Sequence, residues 1–469
     1  MSEVTAVEGA EVEAPADERA PLEPEGPPAL EIAPGQEAPT PPRPPRFSGF
    51  DGLRAIAAGT VVGVHVGFVS GLTLRNASVG IYTSRLEIGV AVFFLISGFL
   101  LYRPFVVAHL GAERHPNTGA FWMRRLLRIV PAYWVALFVT TTILHANPYG
   151  MGPGGWHAYA LHYLFAQIYV PAQAFGGITQ AWTLCVEMSF YLVLPLYAMY
   201  VGRRSAGRTP NGRLAREVGA LAVLIAISLA WRFWVLSNQH GHGAIFSAMT
   251  VWLPAELDLF ALGMLLAVLS ARAHLRDAEP RWMSKRWFPW ASWALAGVAF
   301  WGVSHLGLPR DVIYTKSLVD ITRQTLYGVF AFFLLLPAIF GPQDRGLLRR
   351  FLRSWPMASL GAISYSLYLW HQTLLNELVK YYPRWFGMKV FFDVAFWGMF
   401  GEVFGAAIVV AAISYLVVEK PALRAKRFFA WFTAPPVPVP SPMPVPPAND
   451  PVPLDLGPAQ VVLPAEPGV

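Results

Sequence analysis

The chain is short of two residue classes. One cysteine, Cys185, occurs in 469 residues, which excludes an internal disulfide and a cysteine-based metal cluster. Charged residues make up only 14% of the chain, where a soluble protein carries about a quarter. With 55% hydrophobic residues, that shortage excludes an ordinary soluble domain. Also missing from the first thirty residues is a basic stretch followed by an apolar core, so no cleavable signal peptide is expected and membrane insertion rests on internal segments. The net charge of +7 reads as basic cytosolic loops in so apolar a chain. No nucleic-acid partner and no metal site are expected.

Long apolar runs are plentiful. Stretches able to cross a bilayer, about 20 residues each, fall near 52–72, 87–108, 129–147, 182–202, 217–237, 249–271, 288–306, 323–341, 357–379 and 391–416. Residues 156–172 ("WHAYALHYLFAQIYVPA") form an eleventh, shorter candidate. Loop charges arbitrate. The loop 103–128 holds Arg103, Arg114, Arg124, Arg125 and Arg128, and the loops at 203–216, 272–286 and 345–353 hold five, five and four Lys or Arg. The alternate loops hold seven between them. That alternation stays in phase when 156–172 is interfacial or re-entrant, which predicts an all-α polytopic membrane protein of about ten transmembrane helices with both termini cytosolic. Residues 1–46 and 429–469, rich in Pro and poor in aromatics, are expected to be disordered cytosolic tails. The membrane domain is then 47–428 in a cell membrane.

Ionisable residues inside the spans are candidates for function, because burying them in lipid is costly. "FDGLRAIAAGTVVGVHV" (50–66) carries Asp51, Arg54 and His65. Arg54 and His65 are eleven residues apart, about three turns plus 20°, so they share one face about 16 Å apart along the axis. Glu187 in "AWTLCVEMSFYLVLPL" and His371 in "ISYSLYLWHQTLL" come out at the depth of His65, roughly 20 Å from the inner face. A carboxylate and two imidazoles at one level suggest a shared polar cavity in which Glu187 orients and polarises His65. On that count the arginines near the inner face stand about 20 Å from Glu187. Asp258 and Glu256 fall on the same outer half. The plainer readings are a cytosolic anchor for Arg54 and helix-pairing hydrogen bonds for the others.

Six segments, in order, resemble the acyltransferase family 3 membrane proteins. The first is "FDGLRAIAAGTVVGVHV", with a basic residue, ten residues and then His. "GVAVFFLISGFLLYR" (89–103) carries Ser97-Gly98-Phe99, "FWMRRLLRIVPAYW" (121–134) carries Arg125-x-x-Arg128, and "AWTLCVEMSFYLVLPL" carries Trp182-x-x-x-x-Glu187. "ISYSLYLWHQ" and "VVEKPALR" (417–424) complete the set. Cys185 and Met188 stand where the family more often has Ser and a polar residue. The resemblance covers roughly 47–428, and no appended hydrolase-like domain is expected.

The resemblance implies transfer of an acyl group, often acetyl, from acyl-coenzyme A to a hydroxyl. His65 and Glu187 are then the catalytic pair, and Arg54, Arg125 and Arg128 bind the coenzyme. Arg125 and Arg128 lie one turn apart, and a guanidinium fork suits phosphate. Asp51, Ser97, Trp182, Asp258, Tyr365 and His371 are the candidate substrate-binding residues. Expected partners are the acyl-CoA (acetyl-CoA) donor, a hydroxyl acceptor in a cell-envelope glycan, and the lipid bilayer. A secondary metabolite such as a macrolide is the alternative acceptor. A proton-coupled transporter using the same His and Glu is the alternative class, weakened by the lack of paired broken helices in an inverted repeat.

Overall fold

A computed structural model describes residues 47–111, 115–145, 155–238, 243–276, 278–310, 317–381 and 394–425. The Pro-rich tails predicted at 1–46 and 429–469 lie outside the described residues. Among those described, regular structure is helical throughout. A lipid-embedded backbone has no water to bond to, so it satisfies its polar groups within each helix.

In chain order the principal helices are α1 (Gly49–Val69), α2 (Ile88–Gly111), α3 (Thr118–Phe138), α4 (Trp156–Tyr163), α5 (Trp182–Ser205), α6 (Pro210–Ser237), α7 (Leu253–Leu275), α8 (Trp287–Ser304), α9 (Ser317–Ile339), α10 (Ser364–Tyr381) and α11 (Val394–Ser414). Local chemistry sets several boundaries. The Asn117 side chain accepts from the Ala120 amide (2.9 Å) and caps α3. Thr209 accepts from Gly212 (3.2 Å) ahead of Pro210 at the start of α6, and each side chain satisfies an amide the helix leaves open.

Among the described residues, eight helical stretches are long and apolar enough to cross a membrane. The other two of the ten expected spans are α8 and α10, each 18 residues long or about 27 Å. Both fall short in apolarity for visible reasons. Helix α8 carries Trp287, Trp290, Trp293 and Trp301, and α10 carries His371, Gln372, Asn376, Glu377 and Lys380. The eleventh candidate folds as α4, 8 residues and about 12 Å long, followed by 3-10 turns. That is too short to cross.

Helix α2 is the central column. It runs antiparallel to α1: Gly89 sits against Ala57 and Thr60, and the Phe99 ring packs on Phe50 at 5.1 Å between centroids. Against α7 the backbones nearly touch. A Cβ on Gly98 would lie 2.3 Å from the Phe260 carbonyl oxygen, and one on Gly263 would lie 2.1 Å from that of Leu95. The glycine of the Ser97-Gly98-Phe99 motif is therefore a packing residue, of the kind that lets membrane helices approach closely. Phe99 is fully buried beside it.

Candidate active site

A cavity of about 90 Å³ opens between α1, α2, α3, α5 and α10. Helix α1 contributes Arg54, and α3 contributes Arg125 and Arg128. Arg54 donates to Asp51 at 3.1 Å, within its own first turn. The Nε of Arg125 is buried without a hydrogen-bond partner. The opposite wall holds Glu187, whose Oε1 accepts from Ser97 (3.0 Å) and whose Oε2 accepts from Tyr191 (2.7 Å). Tyr365 also lines the cavity and donates to the Ile129 carbonyl at 2.8 Å. Asp51 thus enters the site through Arg54, and Ser97 through Glu187.

His65 and His371 meet beside this cavity. The Nδ1 of His65 lies 3.1 Å from the Nε2 of His371 and 2.9 Å from the Val61 carbonyl. The Nδ1 of His371 lies 2.7 Å from the Tyr368 carbonyl, and the Tyr368 side chain lines the arginine cavity. A carbonyl accepts only, so both Nδ1 atoms carry the hydrogen. The Nε2 of His371 is then an acceptor for His65, and the Nε2 of His65 carries a lone pair. That tautomer suits a general base.

The expected Glu187–His65 pair is not formed. Glu187 bonds to Ser97 and Tyr191, whereas His65 bonds to His371. The cause is where α5 begins. The segment 167–181 re-enters the bundle with Gln167, Gln173 and Gln180 buried. Gln180 donates to the Tyr368 and Leu369 carbonyls at 3.2 and 3.0 Å, and the Trp182 ring packs on Phe94. Helix α5 therefore starts inside the bundle rather than at its surface. Glu187 lands beside Ser97 and shares the Arg54 cavity, so the expected 20 Å gap between it and the arginines is also absent. Glu87, in the turn just before α2, accepts from Tyr327 at 2.8 Å.

Two other sequence candidates lie elsewhere. Trp182 lines a second cavity, of about 190 Å³, formed by α2, α5, α6, α7 and α9. Asp258 is buried and accepts from Ser228 (3.0 Å) and Gln324 (3.1 Å), joining α6, α7 and α9. The residues missed by sequence reasoning are Tyr191, Tyr368 and Glu87. Tyr191 stands four places after Glu187 on the same helix face, a spacing that could have found it. Glu87 gives no such signal, because a charge at the end of an apolar run resembles any interfacial residue.

The model of a family described as an acyltransferase domain matches residues 47–419. Acyltransferase MdmB of Streptomyces mycarofaciens is 27% identical over 396 residues, covering 82% of this chain and 93% of that protein. Nodulation protein 10 of Rhizobium leguminosarum bv. viciae is 25% identical over 360 residues, 72% of this chain and 82% of its own. O-acetyltransferase OatA of Staphylococcus aureus (strain NCTC 8325 / PS 47) is 23% identical over 401 residues, 82% of this chain but 59% of its own length. No solved structure matches.

Proposed function

The chain belongs to the acyltransferase family whose domain it carries, and from that premise we propose that it moves an acyl group, acetyl in the first instance, from acyl-coenzyme A to a hydroxyl of a cell-envelope carbohydrate. It is a multi-pass membrane enzyme of the transferase class. The reading places the arginine cavity and both termini on the cytosolic side of the cell membrane, where the coenzyme is found. One observation carries it. Three guanidinium groups from two helices line one cavity, and its wall residue Tyr368 also holds His371, the partner of His65.

Arg54, Arg125 and Arg128 grip the phosphates of the coenzyme, to which a planar guanidinium offers two parallel donors. The long arm of the coenzyme carries the thioester along α1 toward His65, about 16 Å from Arg54. The acceptor hydroxyl oxygen attacks the thioester carbonyl carbon; the new C–O bond forms as the C–S bond breaks. His65 Nε2 takes the hydroxyl proton and hands it to the departing thiolate, so the coenzyme leaves as a thiol and the imidazole ends neutral. His371 holds the Nδ1 proton of His65 and so keeps Nε2 basic. Glu187, tied to Ser97 and Tyr191, braces the donor cavity opposite the arginines.

The test uses the full chain in lipid nanodiscs, with acetyl-CoA affinity read by calorimetry and thioester turnover read as released thiol. The wild type binds acetyl-CoA and releases thiol faster with acceptor present. Unchanged acetyl-CoA affinity in the double variant Arg125→Ala, Arg128→Ala refutes the donor site. A wild type that turns over no thioester favours the transporter class.

A further inference from the structure

The second cavity is where the structure carries more than the donor site explains. Its walls combine charge of both signs with aromatic faces. Arg232 donates to Glu256 (2.7 Å) and to Asp320 (3.0 Å). Arg323 pairs with Asp320 and reaches Glu87 at 3.4 Å. The Tyr327 hydroxyl donates to Glu87 at 2.8 Å, and Gln324 donates to Glu256 at 3.1 Å. Trp182 and Phe175 add apolar ring faces.

These groups do more than pair helices, as three observations indicate. The network encloses open space of about 190 Å³, room for on the order of ten waters. Glu87 keeps 40% of its side-chain surface open despite its two partners. Val90 lines this cavity and the arginine cavity alike, so one side chain stands between them. A Cβ on Gly63 would lie 3.0 Å from the Leu86 side chain, so the His65 end of α1 packs against the turn that carries Glu87.

Resting on the acyltransferase reading above, we propose that this cavity binds the acceptor, and that the acceptor is a neutral sugar ring or small polyol. The chemistry of the walls sets the class. Both guanidinium groups are already matched by carboxylates, which outnumber them three to two, so the site has no positive charge to spare for an anionic ligand and offers dipoles and lone pairs instead. Paired donors and acceptors suit vicinal hydroxyls, and a ring face such as Trp182 suits the C–H face of a sugar. Size sets the rest: a single hexose ring has about a dozen heavy atoms and fits a space of roughly ten waters, whereas a macrolide body does not. A hydroxyl held against Glu87 points its oxygen past Val90 toward the donor cavity and delivers its proton to His65.

The experiment uses the full chain in nanodiscs with acetyl-CoA as donor. Methyl glucoside, methyl N-acetylglucosaminide, glycerol and a macrolide serve as acceptors. Tyr327→Phe removes one hydroxyl from the cavity, and Val251→Phe fills it by bulk. Each is expected to raise the KM for the sugar acceptors about tenfold, while the acetyl-CoA Kd stays at the wild-type value. Sugar KM unmoved by both variants refutes the acceptor site. So does a wild type that acetylates the macrolide and none of the sugars or glycerol. A wild type that binds no acetyl-CoA refutes the donor reading and this inference together, whereas one that binds it and fails the KM test refutes the inference alone.

Discussion

The two cavities that meet at Val90 hold their charges differently. Around the arginine cavity, three guanidinium groups face one Glu187, with Asp51 beside Arg54, and the buried Nε of Arg125 has no partner. Around the second, two guanidinium groups are interlocked with Glu87, Glu256 and Asp320 across three helices and the turn before α2. A site with cation to spare is built to receive anionic charge from outside. A site whose guanidinium groups are all matched by carboxylates is built to keep its shape and present hydrogen bonds. The same residue types thus serve capture in one place and pre-organisation in the other.

The largest expected effect lies between the two cavities. His65→Ala removes the base and is expected to lower the transfer rate by about 10²–10⁴-fold with acetyl-CoA affinity intact; a variant keeping more than about a tenth of the rate removes His65 from that role.

Next comes the interlocked side. Arg232→Ala leaves the buried Glu256 without its cationic partner and Asp320 with Arg323 alone, which costs about 3–5 kcal/mol. Thermal unfolding in nanodiscs should show a large downward shift, and folded material at low temperature should still bind acetyl-CoA. Unaltered stability would mean the network is looser than its distances imply.

The open side should respond in affinity instead. The double variant Arg125→Ala, Arg128→Ala is expected to weaken acetyl-CoA about a hundredfold, since hydrogen bonds to charged groups contribute about 1.5–3 kcal/mol each. Its unfolding temperature should move little, because neither arginine is locked into an ion pair. If stability falls as it does for Arg232→Ala, the contrast between the cavities collapses.

The smallest effect sharpens the same contrast. Glu187→Gln keeps the size and one of the two acceptor oxygens that Ser97 and Tyr191 donate to, and removes the charge. It is expected to change the acetyl-CoA KM by about tenfold or less. Because Glu187 and His65 share no hydrogen bond, their losses should multiply in the double variant. Losses that fail to multiply would restore a catalytic link between them.

Much of this was legible in the sequence. Apolar runs of spanning length located the ten long helices, and period arithmetic put Arg54 and His65 on one face of α1. Loop charges kept 156–172 from being counted as a span, and the fold makes it the short α4. These are local properties: a hydrogen-bonded turn and a hydrophobic run need no knowledge of distant residues.

Only the tertiary structure decided which carboxylate stands near which histidine. Counting residues from a helix end gives depth only if the helix starts at the membrane surface, and α5 starts inside because Gln180 is buried against α10 and the Trp182 ring packs on Phe94 of α2. Glu187 therefore lines the arginine cavity with Ser97 and Tyr191, and the partner of His65 is His371. The second cavity was hidden for the same reason. Tyr327 and Glu87 lie 240 residues apart, and Arg232 and Asp320 lie 88 apart. Contacts of that separation depend on how whole helices pack, and helical periodicity fixes the face a residue presents without naming the neighbour it meets.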